Sequence, residues 1–143
     1  MPVTSERYLP EGLPEPEITN LDREYWSAAH DGRLVMQTCA DCAQDCWPPE
    51  EICAGCHSTN RAWRPLSGLG KIHSWTRAWH PVHPALREAG PYVVVVVALD
   101  GSPMLMIGNL LGDPEQPVAI GDPVEAVFES RPGDYALIQW QKR

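Results

Sequence analysis

The stretch CADCAQDCWPPEEICAGC, residues 39–56, contains every cysteine of the chain and decides its first structural unit. Cys39 and Cys42 form one C-x-x-C pair, and Cys53 and Cys56 form a second pair after ten intervening residues. Two residues between thiolates let each pair turn around one metal ion, and two pairs complete a tetrahedral four-sulfur site. The spacing therefore predicts a structural metal site, with zinc as the metal.

Two other interpretations of these cysteines stay open at this point. A rubredoxin-like iron site is one, because four thiolates also suit iron. A redox-active dithiol is the other, although it needs a strand–helix setting that the flanking sequence does not show. Four protein thiolates leave no coordination position for water or substrate, so the predicted role is structural. Cys46 and His57, which lie beside the pairs, are alternative ligands, but the favoured interpretation of both is an ordinary surface or packing residue.

The charge balance bears on the choice of partner. The 143 residues carry a net charge of −8, from eleven Lys and Arg against nineteen Asp and Glu. A protein that neutralises nucleic-acid phosphates needs a basic face, so this balance argues against a nucleic-acid partner. A local basic patch is the alternative, and it would also suit a small anionic ligand. Its candidate members are Arg61, Arg64, Lys71, Arg77 and Arg87.

The sequence shows no sign of a membrane segment or a signal peptide. It contains no apolar run long enough to span a bilayer, and residues 1–20 lack an apolar signal region. Metal-spaced cysteines with an unpaired fifth thiol fit a reducing compartment better than a disulfide scaffold. We therefore expect a cytoplasmic protein that does not bind membranes.

The first 66 residues read as an arm, a helix and a metal ribbon. Residues 1–18 are rich in proline and glutamate and are expected to be extended. Thr19 or Asn20 is the predicted cap of a helix that begins at Leu21 and stops at Gly32. Predicted strands at residues 33–38 and 61–66 flank the cysteines. The predicted units are thus an arm and helix over 1–32 and a rubredoxin-like ribbon over 33–66.

From residue 67 onward the pattern changes to strands at short intervals. Five strands are predicted, and none is separated from the next by a helix, so a small closed barrel is the natural arrangement. Their ranges are 71–79, 92–99, 104–111, 123–129 and 135–141. The predicted fold is mainly β: an N-terminal helix and a rubredoxin-like zinc ribbon, followed by a five-stranded OB-fold barrel over residues 67–143.

The valine run at residues 93–97 is apolar on both faces of its strand, and Met104–Ile107 repeats this on the next strand. A barrel strand normally alternates between a buried and a wet face. The pattern therefore predicts that the outer face is covered, either by the helix and ribbon of this chain or by another protein.

No nucleophile, metalloprotease or phosphate-loop motif is found in the sequence. His73, His80 and His83, with Trp75 and Trp79 nearby, are the best candidates for chemistry. Histidines held between prolines, with no carboxylate close in sequence, more often make hydrogen bonds or line an interface. We expect no catalytic residue in this chain, so it is not predicted to be an enzyme on its own.

These residues carry a family resemblance over nearly the whole chain. Its motifs are the paired C-x-x-C, Trp-Pro-Pro at 47–49, Ser-Gly-Leu-Gly at 67–70 and Ile-Gly-Asp-Pro-Val at 120–124, in that order. They resemble the acyl-CoA-associated proteins that join a rubredoxin-like zinc ribbon to an OB fold, once catalogued as a domain of unknown function. Ala43 departs from the pattern, since the family usually has glycine after the second cysteine.

The resemblance implies a role that composition does not reveal. Family members accompany a thiolase-like or lipid-transfer-protein-like catalytic subunit, commonly as heterotetramers. The partner acts on acyl-CoA thioesters, as a thiolase, a synthase or an aldolase that shortens a steroid side chain. The metal is usually zinc, and the OB domain borders the coenzyme A or acyl channel. The expectation is an accessory subunit in lipid metabolism.

Within that expectation, segment 71–87 is where coenzyme A contacts are predicted. Arg77 or Arg87 would meet a phosphate, and Trp79 would flank the adenine or the pantetheine arm. His80 and His83 complete the predicted set. Two alternatives to an accessory subunit stay open. One is a nucleic-acid-binding module, because zinc ribbons and OB folds both occur in nucleic-acid-binding proteins, and the other is an iron electron carrier.

Overall fold

The computed structural model describes residues 2–143, which form nine strands and one α-helix. The helix α1 is Arg23–His30. The strands in chain order are β1 Val3–Thr4, β2 Val35–Cys39, β3 Asp45–Cys46, β4 Arg61–Pro65, β5 Leu69–Ala78, β6 Tyr92–Leu99, β7 Leu105–Asn109, β8 Pro123–Ser130 and β9 Ala136–Lys142. Among the described residues, no helix has both the length and the apolar character needed to cross a bilayer.

The ribbon is a three-stranded antiparallel sheet in the order β3-β2-β4. Strands β2 and β4 correspond to the two strands predicted on either side of the cysteines. Gln37 on β2 lies opposite Trp63 on β4 and opposite Cys46 on β3. The two-residue strand β3 was not predicted, because so short a segment has no periodicity to detect.

The second sheet has the strand order of an OB fold. Its path runs β1-β8-β5-β6-β7, and β9 pairs with β8. The five predicted strands are confirmed, and none of their ends is shifted by more than two residues. Full closure of the barrel is not reached: within residues 2–143, the backbone pairing between β7 and β9 is limited to an isolated parallel bridge, Leu110–Trp140, at the end of β7. Just beyond β7, Leu111 N–H donates to the Trp140 carbonyl at 2.7 Å.

The valines at residues 93–97 alternate between the barrel core and its outer face. Val93, Val95 and Val97 are fully buried, whereas Val94 and Val96 are half-buried on the outer face. Trp140 fills the end of the core against Gly108, where an added Cβ would lie 2.8 Å from the indole ring. A close backbone approach of this kind requires glycine.

Of the two alternatives for covering the outer face of the β6–β7 pair, cover by the helix and ribbon of this chain is not found at β7. Leu105 is 40% exposed and Ile107 is 65% exposed. Helix α1 instead packs mainly on β9, with further contacts to β2 and β8. Tyr25, Ala28 and Ala29 form its buried face.

The start of α1 differs from the prediction by two residues. Asp22, not Thr19 or Asn20, precedes the first helical residue. Its carboxylate accepts hydrogen bonds from Thr19 N–H at 2.7 Å and from the Thr19 hydroxyl at 3.0 Å, which closes a turn ahead of the helix. The stop at Gly32 is confirmed, since its φ of 72° lies in the left-handed region that glycine tolerates.

The arm at residues 2–18 is held along the barrel. Val3 and Thr4 add a short parallel strand beside Phe128 and Glu129 on β8. Tyr8 N–H donates to the buried Glu129 carboxylate at 2.6 Å. The Tyr8 hydroxyl in turn accepts from Val93 N–H at 3.1 Å. These bonds explain how a proline-rich segment becomes ordered without a core of its own.

Candidate functional site

The four predicted ligands converge at the tip of the ribbon. The Sγ atoms of Cys39, Cys42, Cys53 and Cys56 all lie within 4.8 Å of one another. The Cys39–Cys56 and Cys42–Cys53 sulfur pairs are each 3.6 Å apart. A tetrahedral zinc ion with bonds of about 2.3 Å places its sulfurs about 3.75 Å from one another. The two closest sulfur pairs are near that spacing, so the donor set fits zinc as a site that holds the fold.

The two C-x-x-C pairs form the same turn twice. Ala43 N–H donates to the Cys39 carbonyl and His57 N–H to the Cys53 carbonyl, both at 2.9 Å. Ala43 and His57 both have φ of 62°, in the left-handed region. This repeat brings the two pairs to one point from opposite sides, and it explains why glycine is expected after the second cysteine of a pair.

The electrostatics of the sulfurs favour a bound cation. Backbone N–H groups of Cys56 and Gly55 lower the pKa of Cys53 to about 6. The Cys42 N–H group likewise lowers the pKa of Cys39. At Cys56 the Ser58 N–H lowers the pKa, but the neighbouring Cys39 and Cys42 sulfurs outweigh it and raise the pKa to about 12. Four thiolates at this distance need a cation between them.

Replacing Ala43 by glycine is expected to stabilise the protein by about 1 kcal/mol, because glycine adopts the left-handed conformation without the Cβ penalty. The matched control is Ala40→Gly, at an exposed position one residue after Cys39 that lacks a positive φ. There the same change should destabilise by about 0.5–1 kcal/mol. Urea unfolding with zinc in excess measures both, and equal effects of the two changes would contradict the explanation.

A polar cluster, called here the ribbon anchor, joins the ribbon to the barrel. It comprises Asp45 on β3, Arg64 on β4, and Gly101 and Ser102 in the β6–β7 turn. The Arg64 guanidinium binds both carboxylate oxygens of Asp45, with Nε at 2.9 Å from Oδ1. Arg64 Nη2 also donates to the Gly101 carbonyl at 2.8 Å, and the Ser102 hydroxyl donates to Asp45 Oδ2 at 2.6 Å.

The ribbon anchor keeps a buried carboxylate ionised. The Asp45 side chain is 4% exposed, and its burial raises the pKa. The hydrogen bonds from Arg64 and Ser102 outweigh that effect and leave the pKa below the ordinary value. Sequence reasoning missed this cluster, since 57 residues separate Asp45 from Ser102 and no local pattern links them.

The basic patch that the sequence left as an alternative is not assembled as a free cationic face. Arg61 donates to the Gln37 side-chain oxygen at 2.8 Å and to the Glu50 carbonyl at 3.1 Å. Arg64 belongs to the ribbon anchor. Arg77 donates to the carbonyls of Pro114 and Gln116 at 2.6 and 2.7 Å, which ties the β7–β8 connection to β5. Lys71 and Arg87 are exposed.

The other residues predicted to contact coenzyme A lie on the β5–β6 connection, residues 79–91. Trp79 is 64% exposed, and His80 and Arg87 are also exposed. His83 Nδ1 accepts from Ala85 N–H at 3.2 Å and so caps a short 3₁₀ turn at Pro84–Leu86. Leu86 is buried and anchors the connection.

A cavity of about 610 Å³ adjoins the end of this connection and was not predicted. Residues 89–92, the arm and the β7–β8 connection form its walls. Arg7 and Tyr8 are its lining residues from the arm, and Leu111 and Pro114 line it from the β7–β8 connection. Val127 of β8 and Gln141 of β9 line it as well, so its walls come from segments far apart in the chain and no sequence motif signals it.

Two family descriptions match successive parts of the chain. "ChsH2, rubredoxin-like zinc ribbon domain" matches residues 26–60, and "ChsH2, C-terminal OB-fold domain" matches residues 63–129. A solved structure described as an "Ltp2-ChsH2(DUF35) aldolase" aligns with 30% sequence identity and a TM-score of 0.79, covering 90% of this chain and 98% of that chain. The chain belongs to the ChsH2 (DUF35) family. The resemblance inferred from the cysteine and glycine motifs is thereby confirmed.

Two further relatives place this ChsH2-family chain in context. A "Probable enoyl-CoA hydratase alpha subunit" from Thermomonospora curvata is 38% identical over 112 residues, which are 78% of this chain and 34% of that protein. The chain thus spans about a third of the length of that relative. A DUF35-family protein of unknown function from Sulfolobus solfataricus is 11% identical with a TM-score of 0.60, covering 87% of this chain and 86% of that chain. At that identity the likeness shows the fold alone.

Proposed function

We propose that this chain is a zinc-binding accessory subunit of an enzyme complex that acts on acyl-CoA thioesters. The observation that carries the proposal is the alignment over 98% of a ChsH2(DUF35) chain described as part of an aldolase with Ltp2. The name of the Thermomonospora relative, an enoyl-CoA hydratase subunit, supports an acyl-CoA substrate.

In finer detail, the proposed partner is a thiolase-like or lipid-transfer-protein-like catalytic subunit, and the complex is a heterotetramer. The reaction breaks or forms a carbon–carbon bond, by thiolysis or acyl transfer, or by retro-aldol cleavage of a steroid side-chain CoA ester. The aldolase description of the solved relative favours the retro-aldol reaction. The chemistry is placed on the partner, since a four-thiolate site offers no coordination position to a substrate.

The proposed coenzyme A contacts are those of the β5–β6 connection. Arg87 has an exposed guanidinium, and Trp79 has an exposed ring that can stack on adenine or line the pantetheine arm. His80 and His83 flank them. Arg77 stays in the proposed set, although two of its donors already bind carbonyls, so its main contribution would be to hold the β7–β8 connection in place.

The proposal predicts a specific kinetic effect. In the complex with an Ltp2-type aldolase subunit from the genome that encodes this chain, Arg87→Gln is expected to raise KM for acyl-CoA about tenfold with little change in kcat. Loss of one charge-assisted hydrogen bond to phosphate, about 1.5 kcal/mol, corresponds to that factor. Arg33→Gln, which removes an exposed arginine beside α1, is the matched control and should leave KM unchanged.

Three results bear on the two levels of the proposal. The isolated chain is expected to show no cleavage activity, and activity of the chain alone would contradict the accessory role. Failure of the wild-type chain to form a complex with that subunit would overturn the function itself. A normal complex in which Arg87→Gln and Trp79→Leu both leave KM unchanged would overturn only the coenzyme A contacts.

A further inference from the structure

Strand β7, Leu105–Asn109, forms an edge of the sheet with unpaired backbone groups. Leu110 N–H donates to the Val93 carbonyl, and Leu99 N–H donates to the Met104 carbonyl. Hydrogen-bonded pairs alternate along an antiparallel ladder, so Met106 and Gly108 also point their backbone groups toward β6. The N–H and C=O groups of Leu105, Ile107 and Asn109 therefore point away from β6.

Asn109 is satisfied at this edge, whereas Leu105 and Ile107 are not. Asn109 N–H donates to the side-chain oxygen of Gln139 on β9 at 2.8 Å. Within residues 2–143, no group bonds to the outward N–H or C=O of Leu105 or Ile107. The parallel bridge to Trp140 begins only at Leu110. The gap between β7 and β9 thus leaves the outward backbone N–H and C=O groups of Leu105 and Ile107 available for hydrogen bonds with another strand.

This edge lacks the features that normally prevent strand pairing. Edge strands are usually protected by charged side chains, prolines or bulges. Residues 104–110 read MLMIGNL and contain no charge and no proline. The outward side chains of Leu105 and Ile107 are exposed as well, and they continue the half-buried outer face of Val94 and Val96. Such an edge is suited to receiving another strand.

A cleft of about 400 Å³ runs beside the edge. Ile107 and Leu137 line its barrel side, and Tyr25, Trp26 and Trp47 line its opposite side. The Tyr25 and Trp47 rings are 4.5 Å apart, so they form a rigid aromatic wall. An extended peptide paired with β7 would direct alternate side chains along this cleft. The cleft favours apolar side chains at those positions, and Asp22 at its rim disfavours acidic ones.

We propose that an extended segment of the catalytic partner subunit binds as an added strand on the free edge of β7, with apolar side chains in the aromatic cleft. This inference rests on the proposed function, because it assigns a docking site to that partner. Main-chain hydrogen bonds to Leu105 and Ile107 supply affinity, and the cleft supplies specificity. The acidic chain, with its net charge of −8, makes a neutral or basic segment the fitting one.

The test uses the complex with the co-expressed Ltp2-type aldolase subunit and two variants of one residue. Ile107→Pro removes the outward N–H without removing a bond to β6, because proline is tolerated where an edge N–H faces away from the sheet. It is expected to weaken the complex at least about thirtyfold. Ile107→Thr keeps the N–H and the β-branched shape, and it should weaken the complex by less than about fivefold. The melting temperature of each free variant checks its fold.

Hydrogen exchange on the wild-type protein tests the same idea without mutation. The amides of Leu105 and Ile107 should exchange at least tenfold more slowly in the complex than in the free chain. If the wild-type complex forms but neither exchange nor Ile107→Pro has an effect, this inference fails while the proposed function stands. Concentration-dependent protection of these amides in the free chain would mean that a second copy pairs there, which also overturns it. If no complex forms, both proposals fail.

Discussion

Replacing Cys39 by serine is expected to abolish zinc binding and to unfold the tip of the ribbon. Apart from two of the predicted ligand cysteines, the buried apolar residues of the ribbon all lie at its base. They are Leu34, Val35, Met36 and Leu66. The tip therefore depends on the metal, whose binding contributes about 10–16 kcal/mol in isolated zinc-finger peptides. We expect a loss of at least about 4 kcal/mol in stability and a melting temperature lower by about 10 °C or more.

The matched control for this prediction is Cys46→Ser. Cys46 lies between the two pairs in sequence, but its Sγ is near the Pro48 carbonyl, at 3.3 Å, and outside the tetrahedron. This change should retain about one zinc per chain and cost less than about 1 kcal/mol. Elemental analysis and thermal unfolding measure both variants. A Cys39→Ser protein with wild-type zinc content and stability would contradict the structural role, and a red, iron-containing wild-type protein would contradict zinc.

Removal of Arg64 is the second large effect that we expect. Arg64→Met leaves the buried Asp45 carboxylate with Ser102 as its remaining side-chain donor of the ribbon anchor. Breaking a buried ion pair from one side costs about 3–5 kcal/mol, and the Arg64 side chain is 37% exposed, so we expect about 2–3 kcal/mol. Arg33→Met is the control, because Arg33 pairs with Asp31 at an exposed site, and it should cost less than about 1 kcal/mol.

The same variant has a predicted pH dependence. The pKa of Asp45 is lowered in the folded protein, so its contribution to stability is present above its ordinary pKa and is lost as the pH falls through the folded value. Without Arg64, burial raises the pKa instead, and protonation then relieves the penalty. The difference in unfolding free energy between wild type and Arg64→Met should therefore be largest near pH 7 and should decrease below about pH 4. A constant difference across this range would contradict the role of the carboxylate charge.

Local spacing accounts for the features that were predictable from the sequence. The convergence of the four predicted ligands follows from two turns of the same kind, ending at Ala43 and His57, which bring the four sulfurs together. The dipeptide Asp100–Gly101 between β6 and β7 is likewise a local turn signal, and Gly101 adopts a φ of 82°, which favours glycine. Each signal involves only a few consecutive residues.

The direction of the valine side chains was not predictable. Val93 to Val97 are chemically identical, so the sequence contains no alternation that would distinguish the buried face from the outer one. Register with β5 and β7 decides it, and Val93, Val95 and Val97 turn inward. The start of α1 was misplaced because Thr19, one of the two predicted caps, instead donates to the Asp22 carboxylate in a turn ahead of the helix.

The order of the residues was sufficient to predict the four cysteine ligands and to establish the strand sequence of the barrel and the family, because these depend on short-range spacing and on motifs in a fixed order. Tertiary structure alone decided how the ribbon is joined to the barrel through Asp45, Arg64 and Ser102, and which edge remains open at Leu105 and Ile107. Both depend on contacts between segments far apart in the chain, whose geometry is set only when the two sheets pack. The metal site is therefore local chemistry, whereas the proposed docking edge is a property of the whole fold.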